Sequence, residues 1–268
     1  MTEYAKLSGA KPRLYHSPPS YYSMIARLAL AEGGIAYERV FVDIHFRLSQ
    51  QQPNYVRINP GMTVPTLVLT DRILDQSRDI AEYALGSTLD RETKTWLDLF
   101  YGYPIEELTF GVLLARNPVA RIMIPKRLEA TRRQLLAYAA RNPDLAAVYE
   151  ARAAVFAKRV STFEPDAVVK LSERRRAEAI GFMDRLEQTL RDGRAVLVTP
   201  AYGVADVVWT VFLGRMEFVG LGAEIPRRPA LARYWGAMQA RPSFSAADIW
   251  TKFHLGRLIG GILGIGRR

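Results

Sequence analysis

Residues 14–42 read LYHSPPSYYSMIARLALAEGGIAYERVFV, and this stretch decides the fold. Leu14, Tyr15 and His16 make a short strand candidate, closed by Ser17-Pro18-Pro19, because proline cannot continue a hydrogen-bonded ladder. A helix pattern follows. Met24, Ile25, Leu28, Ala29 and Ala31 recur at helical spacing on one face, and Gly33-Gly34 supplies a C-cap and turn. Tyr37 to Val42 alternates and is rich in β-branched and aromatic residues, the pattern of a second strand. Strand, helix and strand together predict a βαβ unit.

Working outward, Val64 to Leu69 is a further apolar strand, joined through Thr70-Asp71-Arg72 to Ile73-Leu74 as a hairpin. Asp75, Gln76 and Ser77 then precede a helix carrying Ile80, Ala81 and Ala84. Residues 12–86 therefore read β-α-β, linker, β-β-α. Beyond Asp90 the apolar residues keep helical period: Trp96, Leu97, Leu99 and Phe100; Leu128, Leu135 and Leu136; residues 171–190; residues 207–219; then Leu231, Tyr234, Trp235 and Met238. An all-helical bundle is predicted.

The 268 residues carry 37 basic and 27 acidic side chains, a net charge of +10. The excess is uneven. Residues 1–90 hold nine basic and nine acidic groups, residues 121–176 hold thirteen against six, and residues 246–268 hold four against one. This asymmetry supports a boundary near residues 86–92. Arg174-Arg175-Arg176 shares its helix with Glu173, Glu178, Asp184 and Glu187, the mixture of a solvated face and not of a nucleic-acid stripe. No nucleic-acid partner is expected. Cysteine is absent and the three histidines, His16, His45 and His254, have no histidine four residues away, so no metal centre is expected. No apolar run is long enough to span a bilayer, and the first residues, MTEYAKLSGAKPR, lack the apolar core of a secretory signal, which predicts a cytoplasmic protein.

Five segments in this order resemble the cytosolic glutathione transferases. LYHSPPSYYSMIARLAL is similar to the family's first strand, active-site turn and first helix; NPGMTVPTLVL resembles its segment before and within the third strand; LDQSRDI resembles the segment opening its third helix. VADVVWTVFLGRMEFVGL and RPALARYWGAMQARPSF are similar to its late helices. The long stretch of residues 140–190 resembles the subgroup of the tetrachlorohydroquinone dehalogenase-like transferases and the ganglioside-induced differentiation-associated proteins, with the zeta class as further relatives.

The resemblance implies an α/β thioredoxin-like N-terminal domain followed by an all-α helical bundle. The expected organisation is an extension at residues 1–11, a glutathione-binding domain at 12–87, a substrate domain at 92–245 with a lengthened middle region, and a basic apolar tail at 246–268. It implies glutathione as co-substrate and Ser20 as the hydroxyl that favours the thiolate, with Tyr21 and Tyr22 as alternatives. Ser20 read on its own is equally well a helix N-cap, although Ser23 is the expected plain cap. Val64 and Pro65 match the family's cis-proline, Gln76 and Ser77 match the pair that holds the γ-glutamyl end, and Gln50 matches a contact for the glycyl end. Gln76 stands where an acid is usual. An aromatic or hydrophobic electrophile is expected between the domains against Tyr21, Tyr22, Phe100, Tyr101, Tyr103 and Phe110, with Arg116 and Arg121 favouring an acidic one. Asp206 matches the family's buried capping residue, with Gly203 in place of the usual Ser or Thr.

The implied activity is conjugation or isomerisation by a homodimeric detoxifying glutathione transferase. The residue at the position of the dehalogenases' extra cysteine is Tyr22, from which the chain is expected not to be a cysteine-dependent reductive dehalogenase. The competing expectation is a non-catalytic binding protein of the same fold. Its tail, TKFHLGRLIGGILGIGRR, is then a candidate for weak contact with an anionic membrane surface.

Overall fold

The structure, a computed structural model, describes residues 11–86, 89–198 and 200–252. Its chain divides into two compact units. One contains residues 1–50, 63–102 and 183–268, and the other residues 51–62 and 103–182.

The first unit is built on a four-stranded mixed sheet with the order β2-β1-β3-β4. Strand β1 is Arg13–His16, β2 Glu38–Phe41, β3 Thr66–Val68 and β4 Ile73–Leu74. β1 pairs parallel with β2, Leu14 facing Arg39, and antiparallel with β3, Leu14 facing Leu67. The parallel step needs a crossover, which helix α1, Tyr21–Glu32, supplies. Met24, Ile25, Ala29 and Leu30 of α1 are fully enclosed. Gly33 caps its end, and the site permits no side chain: a Cβ there would sit 2.1 Å from the Ala84 carbonyl oxygen. Gly34 follows at φ +64°, a left-handed conformation open to glycine at little cost. The close approach at Gly33 seats α1 on helix α3, Ser77–Leu85.

The linker between β2 and β3 contains a short helix, α2, Pro53–Val56. Four residues with proline at the start show no periodicity, which is why the sequence pattern does not reveal it. Helix α4 is Arg91–Gly102, and four further helices are α5 Ile105–Arg116, α6 Pro118–Arg141, α7 Ala146–Thr162 and α8 Pro165–Leu190. Within the second unit α6 and α7 enclose Leu135, Ala139, Tyr149, Ala153 and Phe156 together with Val56 and Met62. Tyr149 donates its hydroxyl to the Gln51 carbonyl at 2.8 Å.

Helix α9, Val204–Phe218, is buried on every side from Val204 to Met216, as a helix apolar all round must be. It packs on α1 and α4, and Trp209 donates its indole N–H to the Trp96 carbonyl at 3.2 Å. Helices α10, Pro229–Gln239, and α11, Pro242–Ala246, complete the first unit. Among the described residues no helix is long and apolar enough to cross a membrane. Of the tail expected at 246–268, residues 253–268 lie outside the described residues, as do residues 1–10 of the extension expected at 1–11.

Candidate active site

The turn between β1 and α1 is held by side chains of its own and by two buried arginines. Ser20 is the N-cap of α1, its Oγ accepting from the Ser23 N–H at 3.3 Å. Ser23, expected as the cap, sits within the first turn instead, where its Oγ accepts from the Ser17 N–H at 3.3 Å. A serine oxygen has two acceptor sites and one proton to donate. Capping uses Ser20 only as an acceptor, so the cap and the donation of its proton to an anion are compatible roles. The free N–H groups of the first helical turn favour an anion at the same place.

Arg27, 1% exposed, spreads its guanidinium beneath this turn. Nη1 bonds the Ser17 carbonyl at 3.4 Å and His16 Nδ1 at 3.2 Å; Nη2 donates to the Pro18 and Asp248 carbonyls, both at 3.0 Å; Nε donates to the Ala247 carbonyl at 2.6 Å. Burial, with the charges of Arg27 and Arg39 adding, pushes His16 down to about 3. Its ring is therefore neutral at physiological pH and can accept from Arg27. Arg215 of α9 reaches the third carbonyl of the turn, donating from Nη2 to Pro19 at 3.1 Å.

Around this turn the aromatic residues form one connected group. Tyr21 stacks on Phe100 with centroids 5.4 Å apart and meets Tyr22 edge-on at 5.3 Å; Tyr22 lies parallel to Tyr101 at 6.4 Å. Phe100 contacts Tyr101 at 5.0 Å and Trp209 at 5.9 Å. Tyr103 and Phe110 belong to the second unit. There Tyr103 packs edge-on against Phe182 and donates its hydroxyl to the Arg175 carbonyl at 2.7 Å, while Phe110 meets Phe163.

Val64 and Pro65 are buried and joined by a cis peptide bond. Ser77, 5% exposed, opens α3 and bonds Tyr101 hydroxyl to hydroxyl at 3.1 Å, so the start of α3 is tied to the aromatic group. Gln76 is the N-cap position but its side chain makes no capping bond; it is exposed and reaches Asp75 Oδ1 at 3.5 Å. Sequence reasoning missed the carboxylates beside it. Burial and the neighbouring charges of Glu82 and Asp75 raise Asp79, which marks a negative region at the start of α3. Gln50 is buried, and its Oε1 has no hydrogen-bond partner among the described residues.

Asp206 is fully enclosed. Oδ1 accepts from the Leu197 N–H at 2.8 Å and the Tyr234 hydroxyl at 2.9 Å, and Oδ2 from the Gly203 N–H at 3.0 Å. Glycine has no side chain to return the bond, so only half of the reciprocal capping box forms. Burial outweighs these three donors and pushes the carboxyl up to about 6. Among the described residues no group of three or more His, Cys, Asp or Glu side chains is arranged to hold a metal.

Comparison with known proteins decides the family. Residues 19–85 match the N-terminal domain of glutathione S-transferases. The chain is 33% identical over 248 residues to the tetrachloro-p-hydroquinone reductive dehalogenase of Sphingobium chlorophenolicum, covering 88% of this chain and 95% of that protein. It belongs to the glutathione S-transferase family. Ganglioside-induced differentiation-associated protein 1-like 1 of Homo sapiens is 25% identical over 267 residues, covering 86% of this chain and 72% of that protein. The beta-etherase LigF of Sphingobium sp. strain SYK-6 shares the glutathione S-transferase fold with a TM-score of 0.65 at 21% identity, covering 88% of this chain and 98% of its own.

One expectation falls. The absence of cysteine was expected to set this chain apart from the reductive dehalogenases, yet a reductive dehalogenase is similar to it along nearly its whole length. A missing cysteine describes only the sulfur the protein itself carries. The glutathione S-transferase family works with a sulfur carried by its co-substrate, so Tyr22 in place of a cysteine is no ground for that separation.

Proposed function

We propose that this transferase binds glutathione in its first unit and stabilises the thiolate through Ser20 for attack on a hydrophobic aromatic electrophile. The observation that carries the reading is the geometry of Ser20: at the N-terminus of α1 it accepts from Ser23 and keeps its proton to donate. A hydrogen bond to a charged partner contributes roughly 1.5–3 kcal/mol, which corresponds to about one to two pKa units of the thiol. Ser77 and the acids around it suit the γ-glutamyl end, whose ammonium gains from the negative region at the start of α3. Gln50 and the Val64–Pro65 backbone suit the remainder of the tripeptide.

Tyr22 and Tyr101, both half-buried, offer flat faces for the second substrate, and Phe100, expected to line the pocket, is buried behind Tyr101. The similarity to a tetrachloro-p-hydroquinone dehalogenase supports a halogenated aromatic as that substrate. In the step the sulfur forms a bond to the ring carbon and halide leaves with the electron pair of the carbon–halogen bond. Incubation with glutathione and an activated aryl chloride is expected to release chloride and the matching thioether in equal amounts. Absence of both above the uncatalysed rate removes the reading.

A second outcome concerns binding alone. Ser77→Ala is expected to weaken glutathione about fivefold to tenfold, the scale of one lost hydrogen bond, with the turnover rate at saturation held within roughly twofold. Calorimetric titration and steady-state kinetics together check this.

A further inference from the structure

Arg215 is 5% exposed, and among the described residues no carboxylate pairs with it. Its Nε has no hydrogen-bond partner, its Nη2 donates to the Pro19 carbonyl, and its guanidinium lies over the rings of Tyr21, 5.4 Å away, and Phe218, 4.6 Å away. Arg27, equally buried, is satisfied differently. All three of its nitrogens are bonded, to four carbonyls and a histidine ring, and the charge of Asp248 falls on it. Two cations therefore support one turn; a carboxylate charge acts on Arg27, whereas Arg215 has a carbonyl and two ring faces instead.

A cation buried without a carboxylate is costly, and such groups are enriched at functional sites, where a bound anion supplies the missing charge. The position of Arg215 says which anion. It bonds the carbonyl of the residue before Ser20 and stacks on the ring of the residue after it, so it brackets the hydroxyl proposed to hold the thiolate. Around the turn the titratable groups are Tyr21 and Arg27 on α1, His16 at the end of β1, and Asp248 beside Arg27. Tyr21, a neutral phenol at physiological pH, meets Arg215 through its ring face. On α9 itself the Glu217 carboxylate accepts from the Trp235 indole N–H at 2.8 Å.

We propose that Arg215 is a positioning residue of the thiol site: it fixes the Pro19 carbonyl, and with it Ser20, and holds a buried cation beside the place where the thiolate forms. The inference rests on the reading that Ser20 serves glutathione thiolate. Its consequence is that the charge of Arg215, and not merely its packing, favours ionised sulfur.

The test is an ultraviolet titration of the bound thiolate in the full-length wild type and in Ser20→Ala, Arg215→Gln and Arg215→Lys, each saturated with glutathione and checked by thermal melting. Arg215→Gln keeps an N–H donor for Pro19 but loses the charge; its thiol pKa is expected to rise by about one unit, so that roughly tenfold less thiolate is present below the wild-type value. Arg215→Lys keeps a cationic stem but not the stacked fork, and a buried ammonium gives up its proton more readily than a guanidinium, so its bound thiol is expected to titrate between wild type and Arg215→Gln. An Arg215→Gln protein that folds and titrates like wild type overturns the proposal. If that variant does not fold, Arg215→Met, which keeps the apolar stem and is titrated in the same way, decides: a bound thiol within about 0.3 unit of wild type overturns the proposal. Wild-type protein whose bound thiol titrates like free glutathione, or Ser20→Ala with an unchanged thiol, removes the underlying reading instead.

Discussion

Asp206→Ala is expected to lower the unfolding free energy by about 3–5 kcal/mol, because it leaves two buried backbone N–H groups and the Tyr234 hydroxyl without an acceptor. Urea unfolding at neutral pH measures this. A loss under about 1 kcal/mol means that water or another group takes over these donors. The pH dependence gives a second view. The Asp206 carboxyl sits at about 6 in the folded protein against 3.8 for the free group, so the folded chain binds the proton more tightly than the unfolded one. Its contribution to stability is greatest below about pH 4 and is lost as the pH rises through about 6. Asp206→Asn lacks this dependence. His16 acts in the opposite sense: held at about 3, it costs stability as the pH falls below its unfolded value of 6.5. The comparison of wild type with Asp206→Asn cancels that contribution and isolates the carboxyl.

Ser20→Ala is expected to reduce kcat/KM roughly 10- to 100-fold, following the loss of about 1.5–3 kcal/mol of hydrogen bonding to the thiolate. The same substitution removes the cap of α1, at a cost of about 0.5–2 kcal/mol in stability. Ser20→Asp separates the two effects. Aspartate caps as well as serine does but has no proton to give and places a negative charge beside the sulfur. It is expected to melt within a few degrees of wild type while its kcat/KM falls at least as far as that of Ser20→Ala. If Ser20→Asp retains activity, the hydroxyl is only a cap, and a tyrosine of the pair that follows becomes the activating group.

The sheet and its crossover were legible because each strand and helix carries its own signal: Leu14 to His16 stops at two prolines, α1 runs from a serine to a glycine pair, and β3 and β4 share a short turn. Helix α2 was not, being four residues long and held by residues far along the chain, such as Tyr149 against the Gln51 carbonyl. Of the candidate site, Ser20, Ser77, Tyr22, Phe100 and Tyr101 stand in segments whose local pattern or family likeness marks them. Arg27 and Arg215 are different. Each lies in an apolar helix where an isolated arginine reads as a solvent-facing residue, and nothing local shows that both turn inward onto three successive carbonyls. Their role depends on contacts across about 190 residues or more of sequence, which periodicity does not encode. The acids at the start of α3, Asp75 and Asp79, stand one and three residues from Gln76, and only the fold shows that they lie beside the position where an acid is usual.

The claim that this transferase binds glutathione and ionises its thiol is tested most directly by calorimetric titration of glutathione into the full-length protein at pH 7, in two buffers of different ionisation enthalpy. The account predicts saturable binding with proton release, so that the apparent heat differs between the buffers in proportion to their ionisation enthalpies, and it predicts that S-methylglutathione, which has no thiol proton, binds with the same heat in both. No binding, or binding of glutathione with a heat independent of the buffer, contradicts it.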